Sequence, residues 1–175
     1  LLWMLAALFP LAWVSWQDDR GHVNSLWRLL VHLGAGGLLC AAELKLTQLS
    51  FPGGTWALGT GLSWGLSLLF YAWMINLYNF MDGMDGFAGG MAVCGFATLA
   101  YLGQADELFS QVCLLITGAA GGFLLCNFPP ARIFLGDVGS APLGLLVAVM
   151  LVWAEQRGVF PLWLGVLVFS PFIVD

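Results

Sequence analysis

Charge is scarce in this chain. Of its 175 residues only 5 are Lys or Arg and 10 are Asp or Glu, so 9% are charged and the mean hydropathy reaches +0.92. A soluble domain carries about 25% charged residues, so an ordinary globular protein is excluded. Basic residues are too few for a nucleic-acid footprint. Alternating strands of about ten residues are lacking as well, which excludes a transmembrane β-barrel. The four cysteines, Cys40, Cys94, Cys113 and Cys126, fall in apolar stretches without metal-ligand spacing. They read as buried packing thiols rather than as disulfides or a zinc site. The first segment has neither a basic leader nor a small-residue cleavage site, so it is expected to be a span rather than a signal peptide.

What is present is apolar runs. Stretches of about 15 to 22 residues recur along the chain between short polar or Gly/Pro-containing breaks, and a helix of about 20 residues crosses a hydrocarbon core. The expected fold is all-α, a polytopic transmembrane helical bundle with about seven spans at 1–16, 29–45, 56–77, 87–103, 109–127, 140–154 and 161–175. These form one integral-membrane domain over 1–175. Leu1 opens inside an apolar segment without an initiator Met and Asp175 closes one, so a fragment of a longer protein is expected.

Each span reverses side, so the first, third and fifth breaks share one face of the membrane. Six of the seven aspartates then gather there: Asp18, Asp19, Asp82, Asp85, Asp137 and, at the end of the last span, Asp175. The opposite face holds Asp106, Glu43, Glu107 and Glu155, as ordinary loop polarity does. Arg20, Arg28 and Arg132 lie on the aspartate face against Lys45 and Arg157 on the other, so the positive-inside rule leans toward a cytoplasmic aspartate face.

An aspartate at mid-bilayer costs roughly 2.5 to 3.5 kcal/mol on insertion scales. Several together need water, a cation or a ligand, and Mg²⁺ suits carboxylate oxygen while keeping places for water and phosphates. Each aspartate alone is equally well a cap or turn residue. The joint pattern says more. In NLYNFMDGMDGFAGG (76–90), Asn76, Asn79, Asp82 and Asp85 follow at a three-residue step, so four polar side chains could line one side of a helix end. Gly83, Gly86, Gly89 and Gly90 permit tight packing or close approach of a phosphate, and packing suffices for Gly89 and Gly90. In NFPPARIFLGDVGSAP (127–142), Pro129 and Pro130 stop one span, while Ser140 is expected as the N-cap of the next and Pro142 in its first turn. The first break, QDDRGHVNSLWR (17–28), reads as a solvated loop with local ion pairs or as a metal or proton site. His32 is expected to make one interhelical hydrogen bond, and Glu43 and Lys45 to snorkel.

These stretches resemble the polyprenyl-phosphate N-acetylhexosamine-1-phosphate transferases, the membrane family that includes phospho-N-acetylmuramoyl-pentapeptide transferase and undecaprenyl-phosphate N-acetylglucosamine-1-phosphate transferase. Three motifs stand in family order over nearly the whole chain, and QDDRGHVNSLWRLLVH looks most like bacterial enzymes that start O-antigen or other surface glycans. The resemblance implies transfer of a sugar-1-phosphate from a UDP-sugar to polyprenyl (undecaprenyl) phosphate, with UMP released. It further implies Mg²⁺ (or Mn²⁺ in its place), a multi-pass protein of the bacterial inner membrane and a site facing the cytoplasm; a homodimer is left open. Asp18 and Asp19 match the family's aspartate pair, one of which deprotonates or positions the lipid phosphate. Asn79, Asp82 and Asp85 match the motif for substrate and metal, Asp137 matches a magnesium ligand with Asp19 beside it, and Asn127 and Phe134 match residues that hold and stack uracil. His22 stands where some members have a basic residue, so no lysine role carries over. The family's first helices and its C-terminal nucleotide-sugar motif have no counterpart within 1–175, so the fragment alone is expected to be inactive.

Two other classes use membrane carboxylates. An intramembrane aspartyl protease would need Gly-x-Gly-Asp, where this chain has Phe134 in place of the first Gly, and a Tyr-Asp pair that does not occur. A cation- or proton-coupled transporter would place acids inside the spans with access from both faces, against the one-sided distribution here.

Overall fold

The computed structural model describes residues 2–174. Six helices of 16 to 22 residues carry the chain: α1 (Leu2–Arg20), α2 (Ser25–Ala41), α3 (Thr60–Phe80), α4 (Phe87–Leu102), α5 (Glu107–Asn127) and α6 (Gly136–Arg157). A last apolar segment is divided into α7 (Leu162–Val168) and α8 (Pro171–Val174). Between α2 and α3 lies an antiparallel hairpin of β1 (Gln48–Phe51) and β2 (Gly54–Ala57).

The helices start and stop where local chemistry directs. Asn24 caps α2 by accepting from Leu26 N at 2.9 Å, and Asp106 caps α5 by accepting from Phe109 N at 3.1 Å. Side-chain oxygens there replace the missing intrahelical acceptors. Gly158 ends α6 in the left-handed region at φ 64°, where a glycine carries no Cβ penalty. Pro129 and Pro130 follow α5, and the peptide between them is cis.

Several expectations are corrected. The fold is not wholly α, because QLSFPGGTWA closes on itself: Pro52-Gly53 supplies the turn, and Leu, Phe, Thr and Trp suit short strands. The final segment, expected as one span over 161–175, breaks at Phe169–Ser170, just before Pro171, whose missing N–H and ring oppose a continuous helix. Asp175 lies outside the described residues. Among the described helices, Glu107–Asn127 and Gly136–Arg157 are long and apolar enough to cross a membrane, and Ser25–Ala41 and Phe87–Leu102 are shorter apolar helices. The chain is thus mainly helical and apolar, while two helices rather than seven meet both length and apolarity. Of the thiols, Cys40 and Cys113 are buried, but Cys94 and Cys126 are exposed.

α6 is the axis. From Leu145 to Glu155 nearly every side chain is buried, because α1 and α3 pack along it, while α4 pairs with α5. The outer surface is apolar instead of charged: Leu125 is 85% exposed and Phe80 83%. An exposed apolar surface of this extent fits a hydrocarbon surrounding.

α3 and α6 come close together at Gly144. A Cβ there would stand 2.5 Å from the Met74 carbonyl oxygen and 2.8 Å from Ile75 Cα, both backbone atoms that cannot rotate away. Gly144→Val is therefore expected to destabilise the protein by about 1–3 kcal/mol through overpacking, read as a lower thermal midpoint in detergent. An unchanged midpoint would show that the two helices can separate freely.

Candidate active site

The site is assembled where the C-terminal end of α1, the α3–α4 turn and the α6 N-terminus meet. Asp19, in the last turn of α1, accepts from Asp137 N through one carboxylate oxygen and from Val138 N through the other, both at 2.9 Å. The first amides of a helix have no intrahelical acceptor and bear a partial positive charge. Asp19 supplies that acceptor across 118 residues of sequence. Gly136 makes the approach possible: its φ is +63°, and a Cβ on it would meet Asp19 Oδ2 at 2.9 Å.

Asp18 faces a cation instead. It accepts from Val23 N at 2.9 Å and pairs with the Arg28 guanidinium from the first turn of α2. The other guanidinium nitrogen of Arg28 reaches Asp137 Oδ2 at 2.9 Å and donates to Asn79 Oδ1 at 3.2 Å. Asn79 in turn donates to Asp137 Oδ1 at 2.7 Å and to Ser140 Oγ at 2.9 Å. Arg28 thus links three helices through Asp18, Asn79 and Asp137, the planar multi-donor role that suits arginine.

Next to this network is a cavity of about 250 Å³, lined among others by Asn79, Asp82, Asp85, Asn127, Phe134 and Asp137. Burial pushes the Asp82 carboxyl up to about 6, helped by the negative charges of Asp137 and then Asp19, with the Gly136 backbone amide opposing. Burial and neighbouring negative charge thus both oppose ionisation of Asp82, a condition that a nearby cation would relieve. Asp85 accepts from Ala131 N at 3.1 Å. Asn127, buried at the end of α5, accepts from Gly86 N and donates to the Ile133 carbonyl, each at 2.9 Å. Its amide therefore ties the α3–α4 turn to the loop bearing Phe134, which stands 76% exposed at the cavity.

With this geometry established, comparison with known proteins is decisive. Residues 1–155 match the family described as Glycosyl transferase family 4. The chain belongs to that family. A phospho-N-acetylmuramoyl-pentapeptide-transferase of Synechococcus sp. (strain JA-3-3Ab) is 34% identical over 177 residues, covering 93% of this chain and 51% of the relative. A probable undecaprenyl-phosphate N-acetylglucosaminyl 1-phosphate transferase of Bacillus subtilis (strain 168) is 32% identical over 136 residues, covering 76% and 38%. A phospho-N-acetylmuramoyl-pentapeptide-transferase of Geobacillus kaustophilus is 38% identical over 111 residues, covering 61% and 34%. The chain spans about half the length, or less, of these curated relatives.

Within this glycosyl transferase family 4 chain, the structure unites Asp18, Asp19, Asn79, Asp82, Asp85, Asn127, Phe134 and Asp137 around one region. Asn76 does not join them: it donates to the Ala72 carbonyl at 2.7 Å and meets His32 Nδ1 at 3.3 Å, the interhelical contact expected of His32. Asp82 and Asp85 also lie beyond the end of α3 at Phe80, in the turn rather than on the helix face. Ser140 is not an N-cap, because α6 starts at Gly136; its hydroxyl donates to the Gly136 carbonyl at 2.9 Å while accepting from Asn79. Pro142 accordingly falls in the second turn. Gly89 packs on Phe123 as expected, whereas Gly90 has open space around its missing Cβ. Arg28 is the residue that sequence reasoning undervalued. Its signal was its place, with Arg20 and Arg132, among the three cations on the face that gathers the acids.

The carboxylates of this family 4 site are donors of the kind that a hard divalent cation takes. Asp82, Asp137 and Asp19 offer only oxygen donors, and each Asp19 oxygen keeps a further acceptor position beyond its amide bond. Among the described residues no three Asp, Glu, His or Cys side chains already stand together as a metal cage.

Proposed function

We propose that the full-length protein transfers a sugar-1-phosphate, of the N-acetylhexosamine type, from a UDP-sugar to polyprenyl phosphate and releases UMP. The reaction takes place at the cytoplasmic face of the bacterial inner membrane, in which the helices of this chain are set. An oxygen of the lipid phosphate forms a bond to the sugar-bearing phosphorus as the bridging oxygen leaves with UMP. Both reactants are anions, so the demand on the protein is charge neutralisation and in-line positioning. The observation that carries this reading is the meeting of three sequence-distant breaks, bearing Asp18, Asp19, Asn79, Asp82 and Asp137, around Arg28.

Asp18 serves as acceptor of the lipid-phosphate proton, and Asp19 fixes the α6 end that presents Asp137. Asp82, Asp137 and Asp19 would hold Mg²⁺. The ion, when bound, neutralises the diphosphate and polarises the phosphoryl group. Asp85 holds the Ala131 amide and Asn127 fixes the loop, so that Phe134 offers its ring to the uracil. Polyprenyl phosphate reaches the site sideways from the bilayer.

The direct experiment is Mg²⁺-dependent UMP release by the full-length protein from a panel of UDP-N-acetylhexosamines with undecaprenyl phosphate. Release with one donor and loss on chelation are expected; no UMP from any donor overturns the proposal. Phe134→Ala is expected to raise KM for the UDP-sugar about tenfold or more, since base–aromatic stacking is worth about 1–3 kcal/mol. KM for the lipid should stay unchanged. Equal changes for both substrates would remove the stacking role.

A further inference from the structure

The hairpin is placed opposite to the acidic site. α3 begins at Thr60, shortly after β2 ends at Ala57, and rises about 30 Å before Asn79 meets Asp137. A hydrocarbon core is about 30 Å thick. If the acids lie at one headgroup plane, the hairpin lies at the other.

Its two faces differ. Leu49 pairs with Trp56 and Phe51 with Gly54, and paired residues of a ribbon project to the same side. Leu49, Phe51 and Trp56 therefore share one face, while Gln48, Ser50 and Thr55 share the other. Trp56 is 68% exposed and Phe51 52%. No charged residue occurs from Leu46 to Met81. Immediately before this stretch, Lys45 lies 5.7 Å from the Trp64 ring centroid and pairs with Glu43 at 2.7 Å. A cation and aromatic rings at one level are the usual marks of a membrane–water boundary. Leu49 also opens onto a groove of about 370 Å³ whose other walls include Leu66, Leu69, Phe70, Trp73 and Leu162.

We infer that the β1–β2 hairpin is a foot set into the headgroup–acyl boundary of the leaflet opposite the active site, with Trp56 and Phe51 among the lipids and a lipid acyl chain in the adjoining groove. Together with α3 it fixes the depth of the acidic site at the other surface. Lipid is the occupant because the exposed face is uncharged and continuous with the apolar outer surface of α3, and because α3 has the length of one hydrocarbon core. The inference rests on the membrane placement proposed above.

The experiment uses full-length protein carrying 5-fluorotryptophan, reconstituted in phosphatidylethanolamine/phosphatidylglycerol vesicles. Trp56→Phe identifies the Trp56 fluorine resonance. That resonance should lose most of its intensity with lipid spin-labelled near the headgroup, less with lipid labelled at the chain end, and little with an aqueous gadolinium chelate on either side. Strong relaxation by the aqueous chelate would overturn the inference. Protection from both lipid label and chelate would also overturn it, showing that protein, either another segment of the full-length chain or a second copy, covers the hairpin. Resistance to alkaline carbonate extraction reports membrane insertion separately, so failure of the foot and failure of the membrane reading are told apart.

Discussion

Asp137→Asn is expected to lower UMP release by about two to three orders of magnitude, the range seen when one preorganised charge-stabilising group is removed. Asp137 accepts from Asn79 at one oxygen and pairs with Arg28 at the other. An amide of the same size must turn its NH₂ toward one of those donors, so one contact becomes donor against donor. It also removes a negative charge from the cavity in which Asp82 and Asp19 would share the cation. The fold should survive, because the bonds from the Asp137 and Val138 amides to Asp19 use backbone rather than the replaced side chain. Initial rates at saturating substrates, with a thermal melt as control, decide the matter. A rate near wild type with normal Mg²⁺ dependence would remove Asp137 from the proposed metal set.

The convergence of the acids could be read from the sequence because it follows from counting: a chain that reverses at every span brings alternate breaks to the same face. Thus Asp19, Asn79 and Asp137, up to 118 residues apart, could be assigned to one side and are found bonded to one another. Their individual bonds could not be read that way. Whether Asp19 lies over the α6 N-terminus depends on Gly136 adopting φ +63°, and a glycine in sequence does not reveal its φ. Ser140 looked like a cap because Ser before Pro at a span edge usually is one. The helix instead begins a turn earlier, where Asp19 provides acceptors from another helix. The three-residue step of Asn76, Asn79, Asp82 and Asp85 suggested one helical face, yet Gly83 and Gly86 end that periodicity in a turn. The hairpin escaped notice since strands of four residues carry too little pattern to separate from loop.

Arg28→Ala is expected to depress turnover by about three orders of magnitude, and Arg28→Lys to restore only part of it. The guanidinium meets Asp18, Asn79 and Asp137 at once, and its planar fork spans partners on α1, α3 and α6. An ammonium can approach one carboxylate closely but cannot keep the others in the same plane. Alanine leaves Asp18 and Asp137 facing each other without a counter-charge in a partly buried site, a costly arrangement unless another cation enters. This gives a readout that lost packing alone would not give: removal of the guanidinium should lower the Mg²⁺ concentration for half-maximal residual activity, because the pocket becomes more negative. In a double-mutant cycle, Arg28→Ala and Asp137→Asn together should cost much less than the two single losses combined, since each removes the same contact. Additive losses and an unshifted Mg²⁺ requirement would mean that Arg28 acts apart from the acids it touches, leaving their crowding to be resolved by the metal alone.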